Sequence, residues 1–304
     1  MATRGISLFN ALLMLVVITF WGSSFVVVKL VLSEGLTPIA IATFRFLIAG
    51  GAFLVFLLFK KTRKRDYRLL VEGKDAPAIL FLALSGVTLF FSAQYIGIQM
   101  AGASIAAIFV CLLSPILIAA LSTLILKERP SRKQVCGMGI AGAGTLIIIA
   151  GGTLDIQGNN EFLLGSLILL STPILWTAYN LMGKRTLEKY DPFLVVAHIT
   201  IVGGLCLVPL SVAEGSLQSV FAMSFSSWLA ILFLSVTCSL IGYYVWFYVL
   251  KRVGSVVTSS FLFAEPLVTV LFAIMFAGEK LSFSIIAGGL LIFVGVCLVT
   301  RSKK

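Results

Sequence analysis

Apolar stretches of roughly 17 to 25 residues, the length a helix needs to cross a bilayer, recur along this chain and each ends at a polar break. They run 9–32, 38–59, 77–97, 104–126, 134–151, 162–182, 193–210, 227–250, 255–277 and 284–300. Transmembrane β-strands would be about ten residues long and would alternate polar with apolar, whereas these runs are apolar all round. The pattern predicts an all-α integral membrane protein with ten transmembrane helices. The first run follows a single basic residue, Arg4, and lacks a small-x-small cleavage site, so it reads as an uncleaved helix rather than a signal peptide.

Composition strengthens this reading. Sixty per cent of the 304 residues are hydrophobic and 12% are charged, against about 25% charged in an ordinary soluble domain. No soluble core hides so much apolar surface. The five cysteines (Cys111, Cys136, Cys206, Cys238 and Cys297) all fall inside apolar runs and have no CxxC spacing. They read as small packing residues rather than disulfides or metal ligands. No cofactor or metal is expected.

The formal net charge of +11 would suggest a nucleic-acid partner in a soluble protein, but its distribution here has another meaning. With the N-terminus placed inside, 20 of the 23 basic residues fall on that side, Lys280 lies opposite, and Lys29 and Arg45 lie within helices. Such asymmetry is the positive-inside pattern and predicts both termini in the cytoplasm. Missing or merging one span would scramble the alternation downstream. The cluster Lys60-Lys61-Thr62-Arg63-Lys64-Arg65 directly follows the second apolar run, which makes it a membrane-side anchor.

A shift of 151 positions puts Ser104 on Ser255, Pro115 on Pro266, Glu128 on Glu279, Ser131 on Ser282, Gly137 on Gly288 and Gly144 on Gly295. Near the start of each half, a shift of 155 puts Trp21 on Trp176 and Lys29 on Lys184. The halves are residues 1–155 and 156–304. Each holds five predicted spans, an odd number, so the second half enters the bilayer from the opposite side. Inverted repeats of this kind characterise secondary transporters, whose substrate sits near the midplane between the halves.

The same residues resemble the drug/metabolite transporter superfamily, specifically its EamA type. The resemblance is carried by Trp21-Gly22, Arg45-Phe46, the Ser104 segment leading to Pro115, and Leu126-Lys127-Glu128-Arg129 followed by Gly137 and Gly144. In the second half it is carried by Trp176, Glu265-Pro266 and Gly278-Glu279-Lys280 followed by Gly288 and Gly295. It covers nearly the whole chain. It implies a ten-helix exporter of metabolites in a cytoplasmic membrane, with a central cavity and no ATPase domain.

Ionisable groups within a membrane cost roughly 2.5–3.5 kcal/mol each on insertion scales, so each needs a reason. Lys29 lies near a helix end, from which its stem can snorkel to the headgroups. Arg45 lies about seven residues into the second helix, on the order of 10 Å deep. Glu265 lies near the middle of the ninth. A carboxylate there is either a proton carrier or half of an ion pair, and Arg45 is the available cation. His198, the only histidine, reads either as a hydrogen-bonded packing residue or as a proton-coupling group.

Polar aromatics and amides supply a second layer of candidates: Trp21, Gln94, Tyr95, Trp176, Tyr179, Asn180, Tyr243, Tyr244 and Trp246. Such side chains present an apolar body with one polar handle, which suits a cavity for small organic molecules. Pro115 and Pro266 fall at mid-helix and remove a backbone donor, with Ser114 and Glu265 preceding them. The repeat thus sets the only acidic residue of the apolar spans beside an expected kink.

Gly137, Gly139 and Gly142 spell GxGxxG with Asp155 downstream. Without a preceding strand, and inside an apolar span, they read as small residues for close helix packing and not as a dinucleotide fingerprint. The expected function is secondary transport, with amino-acid-like metabolites favoured, sugars, nucleotide sugars or cationic drugs as the alternative substrate classes, and proton coupling open. The expected partners are a small-molecule substrate, the lipid bilayer and protons, with no nucleic acid. A membrane-embedded enzyme would need a catalytic constellation that is not found here. A channel would need rings of polar residues rather than an inverted repeat.

Overall fold

A computed structural model of the chain describes residues 6–64, 67–102, 106–128, 130–151, 160–277 and 283–301. Arg4, Arg65, Ser104, Arg129, Asp155, Gly278, Glu279, Lys280, Ser282, Lys303 and Lys304, which entered the repeat, the charge count or the motifs, lie outside the described residues. Among the described residues every element is helical and no strand occurs. The main helices are α1 (Leu8–Ser33), α2 (Pro38–Arg63), α3 (Gly73–Ala101), α4 (Phe109–Ile125), α5 (Arg132–Gly151), α6 (Asn160–Lys189), α7 (Pro192–Ala213), α8 (Phe225–Val253), α9 (Ser255–Phe272, continuing to Ala277) and α10 (Phe283–Arg301). Eight of these are long and apolar enough to cross a membrane, and α4 is a shorter apolar helix. The remaining one, α5, opens on Arg132, Lys133 and Gln134. The chain is a multi-pass membrane protein.

The polar breaks act as start signals. Thr37 caps α2 by accepting from the Ala40 N–H, with Pro38 opening the helix, and Asp191 caps α7 by accepting from the Phe193 N–H, with Pro192 opening it. Ser7 and Ser224 cap α1 and α8 in the same way. Outward-facing Leu290 (63% exposed) and Phe293 (69%) on α10 are what a lipid solvent permits.

Helix pairing follows one rule. α2 packs on α7 and α5 on α10, while α3 pairs with α6 as α1 pairs with α8, and α1 with α9 as α6 with α4. Advancing each helix number by five, cyclically, reproduces the same set. At the α5–α10 crossing the two backbones approach closely: a Cβ on Gly144 would lie 2.6 Å from the Gly288 carbonyl oxygen, and one on Gly137 2.7 Å from that of Gly295. Gly139 faces open space and Gly142 makes ordinary contacts, so of the GxGxxG glycines only Gly137 is needed for the crossing.

Four helices depart from α geometry near the centre. α3 and α8 widen into π turns at Leu84–Thr88 and Leu234–Ile241. α4 is entered through a π segment, Ile108–Leu113, immediately before Ser114-Pro115. In α9 the matching segment, Phe261–Ala264, is a tighter 3₁₀ turn before Glu265-Pro266. Each proline lacks the N–H that would continue the ladder, so the change of helix type falls where the donor is missing.

Candidate functional site

A cavity lies at the middle of the bundle, with Val110 of the α4 π segment and Leu262 of the α9 3₁₀ turn on its wall. Its walls come from Trp21, Ser24 and Phe25 on α1, Arg45 on α2, Phe90, Phe91 and Gln94 on α3, Val110 on α4, Trp176 on α6, Tyr243 on α8, and Leu262 and Glu265 on α9. The space measures about 40 Å³, room for about three waters where one needs roughly 10–15 Å³.

Helix widening has a direct consequence for the walls, because a π turn releases carbonyls that an α-helix would use. Tyr243 donates its hydroxyl to the Gly86 carbonyl of the α3 bulge at 2.9 Å, and Trp21 donates its indole N–H to the Cys238 carbonyl of the α8 bulge at 3.0 Å. Each half therefore anchors an aromatic of the other. Asn180 accepts from the Trp246 indole at 2.8 Å and donates to the Trp176 carbonyl at 2.7 Å. Trp176 lies edge-on to Trp21 with centroids 5.5 Å apart and stacks on Phe90 at 5.1 Å and on Tyr179 at 5.1 Å.

Arg45 is 2% exposed. Its Nε donates to Ser239 Oγ at 2.7 Å and its Nη1 to the Tyr95 hydroxyl at 2.5 Å, while the guanidinium lies 4.4 Å from the centre of the Phe91 ring. This combination of fixed donors and a ring face holds the cation in one orientation. The remaining N–H donors have no hydrogen-bond partner among the described residues.

Glu265 is also 2% exposed. Its Oε2 accepts from the Cys111 thiol at 3.1 Å, and its Oε1 has no partner among the described residues. α1 crosses α9 here at Gly22, where a Cβ would stand 2.9 Å from the Glu265 carbonyl oxygen, and Thr269 donates to the Gly22 carbonyl at 2.8 Å. Among the described residues, the ion pairs join Glu72 and Asp75, beside the start of α3, to Arg68, Lys74 and Lys189, and none joins Arg45 to Glu265. The Trp176 indole N–H is a second buried polar group on the wall without a partner among the described residues.

Of the residues singled out in the sequence, Trp21, Arg45, Gln94, Trp176, Tyr243 and Glu265 line the cavity. Tyr95, Tyr179, Asn180 and Trp246 support them from behind. Ser114, His198 and Tyr244 are not brought to it. Ser114 is buried with its hydroxyl unpaired, His198 donates Nδ1–H to the Leu194 carbonyl of its own helix at 2.8 Å, and Tyr244 packs on Phe193 and Tyr248. Sequence reasoning missed Phe90, Phe91, Ser239 and Cys111. Phenylalanine and small residues carry no signal in a chain already rich in both, and the Cys111 contact follows only from the facing of α4 and α9.

The two ends of the bundle carry matching ties. At the end of the basic loops, Lys189 reaches Glu72 at 2.8 Å and Asp75 at 2.5 Å, and its ammonium holds the Glu72 carboxyl down at about 2. At the other end, Glu34 accepts from the hydroxyls of Ser224 (2.5 Å), Ser226 (2.6 Å) and Ser227 (2.5 Å), which hold its carboxyl at about 2. Among the described residues no group of three or more His, Cys, Asp or Glu side chains lies together as a metal would need.

The sequence profile of the EamA-like transporter family matches residues 8–150 and again 163–301. A protein of Archaeoglobus fulgidus named an uncharacterized transporter is 29% identical over 96% of this chain and 97% of its own length. The uncharacterized transporter YyaM of Bacillus subtilis is 26% identical over 91% of this chain and 88% of its own. A solved crystal structure superposes with a TM-score of 0.75 at 19% identity, covering 95% of this chain and 96% of the other, a likeness of fold.

Proposed function

Because this chain belongs to the EamA-like transporter family of the drug/metabolite transporter superfamily, we propose that it is a ten-span secondary transporter exporting small amino-acid-like metabolites across the cytoplasmic membrane. Residues 1–155 and 156–304 act as inverted halves, with both termini inside. The basic-residue asymmetry supports the orientation. The pairing of helices five apart in number and the double match to the family profile support the two halves.

One observation carries the substrate reading. The cavity presents one buried cation with free donors, Arg45, and one buried carboxyl with a free oxygen, Glu265, which do not neutralise each other, between aromatic walls. A molecule bearing a carboxylate, an ammonium group and an apolar portion satisfies all three. Leaving either charge uncompensated in a dry site costs several kcal/mol. A carboxyl that exchanges a proton for the ammonium group of a substrate stays compensated in both states, which links export to an inward proton at Glu265. The space holds only about three waters as it stands, so admitting an organic solute requires helices to move, as alternating access demands.

The test is a liposome screen of amino acids, sugars, nucleotide sugars and organic cations, with and without an imposed proton gradient. Gradient-stimulated, saturable movement of zwitterions supports the proposal. Saturable movement confined to cations or sugars replaces the substrate class. Movement of zwitterions indifferent to the gradient retains the class and removes the coupling.

A further inference from the structure

α8 and α3 occupy matching places in the two halves and end in the same way. Gly254 closes α8 with φ 90 and ψ 170, its N–H returning to the Leu250 carbonyl; Gly102 closes α3 with φ 88 and ψ 161, its N–H returning to that of Ile98. The last carbonyls of a helix have no partner within it and attract cations. At α8 they have one, because Lys184 of α6 donates to the Leu250 carbonyl at 2.7 Å and to that of Lys251 at 3.1 Å. Glu128 closes over the same corner, accepting from the Ser255 N–H at 3.0 Å, and Arg185 donates to the Ile125 carbonyl at 2.8 Å.

The matching corner at α3 is different. Lys29, the residue that the 155-position step carries onto Lys184, is exposed and makes no hydrogen bond or ion pair among the described residues.

General looseness at one end does not account for this. Glu34 with Ser224 and Ser227, and Lys189 with Glu72 and Asp75, also occupy matching positions, and both of these ties are made. They are fixed staples. The two halves differ at the lysine corners and in the segments before the prolines, π in α4 and 3₁₀ in α9. Elements that exchange roles in alternating access must differ in any one state.

Taking the inverted-half transporter reading as the basis, we propose that Lys29 is the outer latch of the transport cycle. In the state that follows this one, its ammonium group turns from the surface and caps the Ile98 and Gln99 carbonyls at the end of α3, while Lys184 releases Leu250 and Lys251. Lys29 and Lys184 are thus positioning residues that bias opposite states. The competing role for Lys29 is a headgroup anchor, which would not change the balance between states.

The experiment uses full-length protein in liposomes of known orientation, with Cys136, Cys206, Cys238 and Cys297 replaced so that Cys111, which contacts the cavity residue Glu265, is the remaining thiol. A membrane-impermeant methanethiosulfonate is applied to one side at a time. Ser24→Cys, on the cavity wall, is the reporter if Cys111 proves unreactive. Lys184→Met should raise the ratio of inner to outer labelling about tenfold, Lys29→Met should lower it by a similar factor, and Lys29→Arg should restore the parental ratio, the size expected from one charge-assisted cap. A shift with Lys184→Met and none with Lys29→Met overturns the latch and leaves the transporter reading standing. Reporter labelling equal from both sides in the parent and unmoved by either lysine would overturn the transporter reading itself.

Discussion

Arg45 and Glu265 face one cavity without pairing: the guanidinium is held by Ser239 and Tyr95, and the carboxyl by the Cys111 thiol alone. Two buried opposite charges would ordinarily be expected to meet. Keeping them apart by separate polar supports leaves a dipolar gap, which is what a zwitterionic guest needs.

Glu265→Gln preserves the shape and the thiol contact but carries no exchangeable proton. Uptake driven by a pH gradient should fall to background, while solute exchange at equal pH stays within a few-fold of the parent. Parallel loss of folded protein and of both activities would assign Glu265 a structural role.

Arg45→Lys keeps the charge and loses the fork that engages Ser239 and Tyr95 together. The apparent KM for a carboxylate-bearing substrate should rise by about tenfold, corresponding to one charged hydrogen bond of roughly 1.5 kcal/mol, with little change in the maximal rate. Arg45→Ala leaves Glu265 as the only charge in the cavity. Rescue of folding by adding Glu265→Gln would show that the two compensate each other at a distance.

The α5–α10 crossing separates packing from function. Gly144→Ala forces a methyl toward the Gly288 carbonyl and should lower stability by about 1–3 kcal/mol. Gly139→Ala, which meets nothing within 4 Å, should leave it unchanged or raise it by up to about 1 kcal/mol through helix propensity. Thermal unfolding in detergent compares the two.

The serine hydroxyls lower the Glu34 carboxyl to about 2 from an ordinary 4.5. The stabilisation that follows is complete above the ordinary value and is lost as pH falls from about 5 toward 2. The difference in melting temperature between the parent and Glu34→Gln should therefore be flat from pH 8 to about 5 and close below that. A difference that varies between pH 6 and 8 would contradict a fixed staple at this end.

The helical class was legible in run lengths, and the family in Trp21-Gly22, Glu265-Pro266 and the spaced glycines. Gly137 was readable as a packing residue because small residues inside an apolar span suit close helix approach, whereas Gly139 and Gly142, read the same way, are not needed at the crossing. Most of the cavity's polar wall was also legible, since Arg45, Glu265, Gln94 and the tryptophans are costly to bury without purpose. The π turns of α3 and α8 were not, because Leu84–Thr88 and Leu234–Ile241 hold no proline, and one glycine, Gly86, in an apolar run does not specify a π turn. Without them the anchoring of Tyr243 and Trp21 across the halves had no sequence signal, and the Cys111 contact with Glu265 depends on the facing of α4 and α9. His198 illustrates the converse: rarity drew attention to it, yet its ring is satisfied within α7.

Counterflow in liposomes preloaded with an unlabelled zwitterionic amino acid tests the central claim most directly. Alternating access through the Arg45–Glu265 cavity predicts transient, saturable accumulation of the labelled solute above equilibrium, abolished by changing both residues. Conductance or uptake that neither saturates nor responds to preloading would contradict it.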